Sequence, residues 1–239
     1  MVTPMGFSVP MIMAIGNHES GGFSRPRSDE HYFFKYFVQE PNIVDEESRR
    51  SYHAHRLTGT TTVVVLDSNV VVRHGEQVAW LREELSRAAG RSKWALYHAP
   101  LYPIVTELSQ AQSVLGRQHW GPVFDAQGLQ IGFEHHDREC SRVLFFATVS
   151  EKQIFADGAK RSNPIVAGQP AASGPIYVGD GCWGVEAATP RPNLEPGLFA
   201  FVARSHHVIL GQRNAANTGW DMRMVDPYGT VLDRYEVDG

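Results

Sequence analysis

Thr60-Thr61-Thr62-Val63-Val64-Val65-Leu66 is almost wholly β-branched, shows no polar alternation and stops at Asp67-Ser68. Such a run reads as a strand buried on both faces, the kind found inside a parallel sheet. The next periodic stretch, Gly75 to Gly90, sets Val78, Leu81, Leu85 and Ala88 on one helical face, with Glu83, Glu84 and Arg87 elsewhere. Lys93-Trp94-Ala95-Leu96-Tyr97-His98-Ala99-Pro100 follows at once as a second short strand. Strand, helix, strand is the unit that builds parallel sheets, so the chain is read as α/β.

Outward from this unit the pattern repeats. Residues 106–127 read as helical, with Leu115, Trp120, Val123 and Phe124 as apolar contacts, and lead into a strand ending near Phe133. On the other side, Pro10-Met11-Ile12-Met13-Ala14-Ile15 is an apolar run that ends in Gly16-Asn17-His18-Glu19, so a first strand is expected over about 10–15. Ser28-Asp29-Glu30 starts a short helix whose Tyr32, Phe33, Phe34, Tyr36 and Phe37 read mainly as packing. Val143 to Ala156 is apolar, with β-branched residues, and 157–175, rich in Gly, Pro, Ala and Ser, reads as a loop. Strand-like runs at Ile176–Val178, Leu198–Ala203, Val208–Leu210, Met222–Val225 and Val231–Tyr235 make 176–239 a strand-rich end of one domain covering 1–239.

Three strand ends therefore deliver chemistry: Asn17-His18, His98, and Glu134-His135-His136-Asp137. Ligand sites in parallel sheets lie beyond the carboxyl ends of the strands. An amide oxygen and two imidazoles arriving there are donors for a single metal ion. His53 and His55, two apart on one strand face, form a second arrangement able to bind a metal, but read as an exposed edge strand. Asp67 reads as a turn residue, and His206-His207 as a loop or strand edge.

Taken in order, Ile12–Glu19, Tyr97–Pro103 and Phe133–Asp137 resemble the blocks of the calcineurin-like metallophosphoesterases, especially the purple acid phosphatase-like branch. Ile176-Tyr177-Val178-Gly179-Asp180-Gly181 also resembles that branch, and 138–170 is the poorest match. The resemblance implies two mixed β-sheets flanked by helices, a four-layer αββα sandwich, incomplete at its N-terminus. It implies hydrolysis of phosphate esters by a metal-activated hydroxide, with zinc, iron or manganese as cofactor. It gives Asn17, His98 and His136 as ligands of the second metal, His18 as substrate contact and general acid, and His135 and Glu19 as neighbours behind them.

Two departures bear on activity. The family's upstream Asp-x-His and Gly-Asp blocks, with the aspartate that bridges both metals, have no counterpart before Gly16, so the chain is read as the C-terminal portion of a longer parent, with a genuine start at Met1 as the alternative. Arg138 stands where the family has the last histidine of its third block. The family binds two metals; this chain retains ligands for one, and Glu134 and Asp137 are the nearest carboxylates able to add charge. Arg138 is then read as a phosphate clamp near the vacant first position. Weak or no turnover by the chain alone is the expectation, with a degenerate phosphate-binding member as the alternative.

Composition suits one globular domain with a sizeable core, or one domain plus an extension. The chain has 239 residues, 42% hydrophobic and 20% charged, with a net charge of −4 and no basic stripe to suit a nucleic-acid partner. No apolar run reaches the length of a membrane span, and Met1-Val2-Thr3-Pro4 does not open a signal peptide, although the resemblance implies a secreted or periplasmic parent. Cys140 and Cys182 read as two unrelated thiols.

Overall fold

A computed structural model describes residues 11–37, 40, 43–57, 59–88, 92–136, 158–179 and 188–238. Arg138, Asp137, Cys140, Cys182, Asp180-Gly181, the run from Val143 to Ala156 and the helix stop at Gly90 lie outside them. Strand β1 is His53–Leu57, β2 Thr61–Leu66, β3 Ser92–Tyr97, β4 Ile131–Glu134, β5 Gly158–Ser162, β6 Ile165–Val166, β7 Gln169–Pro170, β8 Ile176–Gly179, β9 Phe199–Arg204, β10 Val208–Arg213, β11 Gly219–Val225 and β12 Val231–Asp238. The α-helices are α1 Asn17–Ser20, α2 His31–Tyr36, α3 Val78–Arg87, α4 Ala111–His119 and α5 Gly121–Gln127.

The large sheet runs β1-β2-β3-β4-β8-β5-β9. Its centre, β2-β3-β4-β8, is parallel, and β1 and β5 pair antiparallel with their neighbours. Every residue of β2 is buried, as its unbroken β-branched run requires. Its alternate side chains serve two different cores. Val64 and Leu66 meet Leu81 and Leu85 of α3 and Val123 and Phe124 of α5 on the helical side. Val63 and Val65 meet Met222, Trp220, Tyr235 and Val237 of the antiparallel sheet β10-β11-β12 on the other. Trp94 packs edge-on to Trp220 at 4.8 Å, and the Trp220 indole N–H donates to Ser92 Oγ at 3.2 Å. Helices, a large mixed sheet and a second sheet thus stack as three layers among the described residues.

Three expectations change. Residues 11–16 pair with no strand among the described residues; Ile12 and Ala14 lie against the second core and Ile15 is buried with Phe33, Phe34 and Val70. A hydrophobic run shows where a segment packs, and strand character needs a hydrogen-bonded neighbour as well. Residues 157–175 are no mere loop: β5 lies in the large sheet between β8 and β9, and β6 and β7 form a small hairpin. β1 is an edge strand, but His53 is fully buried beside its register partner Val65.

His53 and His74 are buried without hydrogen-bond partners for their rings. Burial, helped by neighbouring charge from His55 and Arg50, holds His53 down to about 3; burial, helped by His119, holds His74 down to about 4. Both folded values lie below the ordinary 6.5, so the unfolded chain takes up these protons first. Stability is full above about pH 6.5 and falls as pH drops toward 4, by roughly 3 kcal/mol for each group. Urea unfolding at pH 7 and pH 4 checks this: His53→Leu should show a visibly smaller loss than the parent chain, and an unchanged loss would contradict it.

Candidate metal and phosphate site

The site lies at the carboxyl ends of β3 and β4. Each loop there is tied to the next. Asp67, which ends β2, is buried; its carboxylate accepts the N–H groups of Val70 at 2.6 Å and Val72 at 3.0 Å and the hydroxyl of Ser51 at 2.6 Å. Burial pushes its carboxyl up while these donors pull it back, so Asp67 shapes a turn, as expected. Ser68 Oγ accepts the Ala99 N–H at 2.9 Å, joining the loops after β2 and β3. Ser24 and Arg25 donate backbone N–H groups to Asn69 and Val70 at 2.7 and 2.8 Å, which fixes the segment following α1 against the same loop.

Asn17 opens α1, a single turn that ends at Gly21 with φ 73°. The Glu19 carboxylate turns back to accept the Gly16 N–H at 2.8 Å, so Glu19 organises this turn. Gly16 is required by crowding: a Cβ there would stand 2.9 Å from Nδ1 and Cε1 of His98 and from Oε2 of Glu19. The close approach puts His98 Nε2 2.7 Å from Asn17 Oδ1. With the amide oxygen as acceptor, the imidazole N–H donates.

His136 is delivered differently from the sequence expectation. Its φ of 62° is left-handed, a conformation costing a histidine about 1–2 kcal/mol. The turn swings its ring edge-on to His98, with centroids 4.6 Å apart. His135 stays in the sheet's extension, donating its backbone N–H to His98 O at 3.0 Å. His18 is exposed beside Asn17. Phe23, which sequence reasoning passed over, packs its ring against His136 at 5.2 Å and lies 6.4 Å from His98. Only its place after Gly21-Gly22 hinted at a constrained position.

Asn17, His98 and His136 therefore come together from three parts of the chain. Among the described residues no three His, Cys, Asp or Glu side chains are placed to hold a metal ion. The set on offer is two imidazoles and an amide, all neutral, which fits one ion rather than two and holds it loosely. An ion between Asn17 and His98 would take the place of the shared proton and widen their 2.7 Å contact to about 3.3 Å, given ligand bonds near 2.0–2.2 Å.

Glu134 does not supply the missing charge. It is buried beneath the site, where its carboxylate receives the Tyr97 hydroxyl at 2.8 Å, the Leu101 N–H at 2.7 Å and the Lys160 ammonium at 2.7 Å. Lys160 also donates to the Tyr102 carbonyl, and both members of the ion pair are essentially inaccessible. Burial, then the Glu134 charge, pushes the Tyr97 hydroxyl far up, so it remains a donor. No local signal marks Lys160, which comes from β5, two strands across the sheet. His206-His207 lies in the loop between β9 and β10, as expected, but His207 is buried there: its Nε2 meets the Gly179 carbonyl at 2.7 Å, at the end of β8. The His53-His55 pair lies on β1, apart from this site.

No protein-family model and no curated protein matches the chain. Among solved structures, the structure of PhoD matches with a TM-score of 0.55 and 9% identity, covering 89% of this chain and 47% of that one. The chain thus spans about half the length of that structure. The likeness is one of fold: an α/β arrangement with a large mixed sheet, a second sheet and flanking helices.

Proposed function

We propose that this chain carries one half of a metal-dependent phosphoester hydrolase site, with Asn17, His98 and His136 holding a single zinc, iron or manganese ion. The observation that carries the reading is the 2.7 Å contact of Asn17 and His98, with the His136 ring against His98. The order of the blocks Gly16–Glu19, Tyr97–Pro103 and Phe133–His136 supports a purple acid phosphatase-like member. A bound ion would supply charge neutralisation for the phosphoryl group and a lowered pKa for water. The chain's own residues orient and shelter: Gly16 lets His98 close on Asn17, Phe23 covers the imidazoles, and exposed His18 stands where it can give a proton to a leaving oxygen.

Neutral ligands alone hold an ion weakly, which favours low turnover and keeps alive the reading of a phosphate-binding, non-catalytic member. The test is hydrolysis of nitrophenyl phosphate by the purified chain with zinc, iron or manganese, from acid to neutral pH. Slow turnover that requires added metal and falls about 10²-fold or more in His98→Ala is expected. Inorganic phosphate binding with no metal-dependent turnover would assign the non-catalytic role. Metal-independent turnover, or turnover untouched by His98→Ala, would overturn the reading.

A further inference from the structure

His53 and His55 stand two apart on β1 and face the same side, next to Val65 and Val63 of β2. His53 is fully buried and His55 half-buried. Their rings meet edge-on with centroids 4.9 Å apart. Both ring nitrogens of His53 and Nε2 of His55 are shut off from water without a hydrogen-bond partner. The same is true of Glu40 Oε2, while Oε1 of that carboxylate takes the Arg50 guanidinium at 2.8 Å. Glu40 is also near enough for its charge to act on His55, opposing the effect of burial. An unpaired buried polar atom costs about 1–3 kcal/mol, and such atoms clustered in one place mark a missing ion or water.

We propose that His53 and His55 chelate one divalent transition-metal ion, at a site separate from Asn17, His98 and His136. Two imidazoles on one tetrahedral ion, bound at about 2.0–2.1 Å, hold their ring centres about 5 Å apart, and the observed 4.9 Å needs little change. Imidazole pairs select zinc, copper or nickel over calcium or magnesium. No third His, Cys, Asp or Glu among the described residues is already in position. Glu40 becomes a ligand by turning its unpaired Oε2 toward His55 while Oε1 keeps Arg50, and water fills what remains. The ion would join the edge of the large sheet to the segment carrying Glu40.

Zinc titration of the 239-residue chain, followed by imidazole ¹⁵N NMR, tests the site. His53 and His55 signals should move together and saturate at one ion, whether or not His98 is replaced by glutamine. His55→Asn should weaken that step by roughly tenfold or more. His53 and His55 signals that stay fixed in excess zinc, while other histidines move, would overturn the proposal. The parent chain's ring signals decide the matter even if His55→Asn folds poorly. Loss of metal binding at His98 alone would count against the phosphoesterase reading and not against this one.

Discussion

Lys160→Met should destabilise the protein by about 3–5 kcal/mol, because it leaves Glu134 as an unpaired charge in the core. Methionine keeps most of the stem volume, so little of the loss comes from packing. The Tyr102 carbonyl also loses its donor. In this variant the stranded carboxylate keeps, among the described residues, only the Tyr97 hydroxyl and the Leu101 N–H as partners. Urea unfolding of Lys160→Met at pH 8 measures the loss. The double variant Glu134→Gln/Lys160→Met should recover much of the loss, since it removes the charge instead of stranding it. A single-variant loss under about 1 kcal/mol at pH 8 would show that water reaches Glu134 and that the pair does not anchor the end of β4.

Gly16→Ala should damage the site more than the fold. The added methyl meets His98 and Glu19 at 2.9 Å, closer than real Cβ contacts allow, and the Gly16 backbone has no other reason to be glycine. Overpacking of this kind costs about 1–3 kcal/mol. The easiest relief is rotation of the His98 ring away from Asn17, which breaks the 2.7 Å contact. Affinity for zinc at this site should fall about tenfold or more, as it does when a residue that orients a metal-binding histidine is lost. Calorimetric titration in a His53→Asn/His55→Asn background isolates the effect. Unchanged affinity would mean that His98 does not need its present orientation.

Much of the architecture was legible because single residues carried it. The β-branched run 61–66 could only be a doubly buried strand, and α3 showed its apolar face at helical spacing. Asn17, His98 and His136 were visible because each closes an apolar run, although among the described residues only the runs before His98 and His136 are strands. What stayed hidden depends on partners distant in sequence. Gly158-Ala159-Lys160-Arg161-Ser162 has little strand propensity and becomes β5 because β8 and β9 offer it hydrogen bonds on both sides. His53 looked exposed because its neighbours are polar, yet the face it shares with Val63 and Val65 is covered. The left-handed turn at His136 has no signature in its residue type, and the Glu134–Lys160 pair joins two segments that local reading treats separately.

We propose that three distant segments place Asn17, His98 and His136 around one ion. Manganese added in substoichiometric amounts and followed by NMR line broadening tests it most directly, because the paramagnetic effect falls steeply with distance. The Asn17 side-chain amide and the rings of His98, His136 and Phe23 should broaden first, and His98→Ala should remove the effect. Sharp signals from these four residues while manganese broadens others would contradict it.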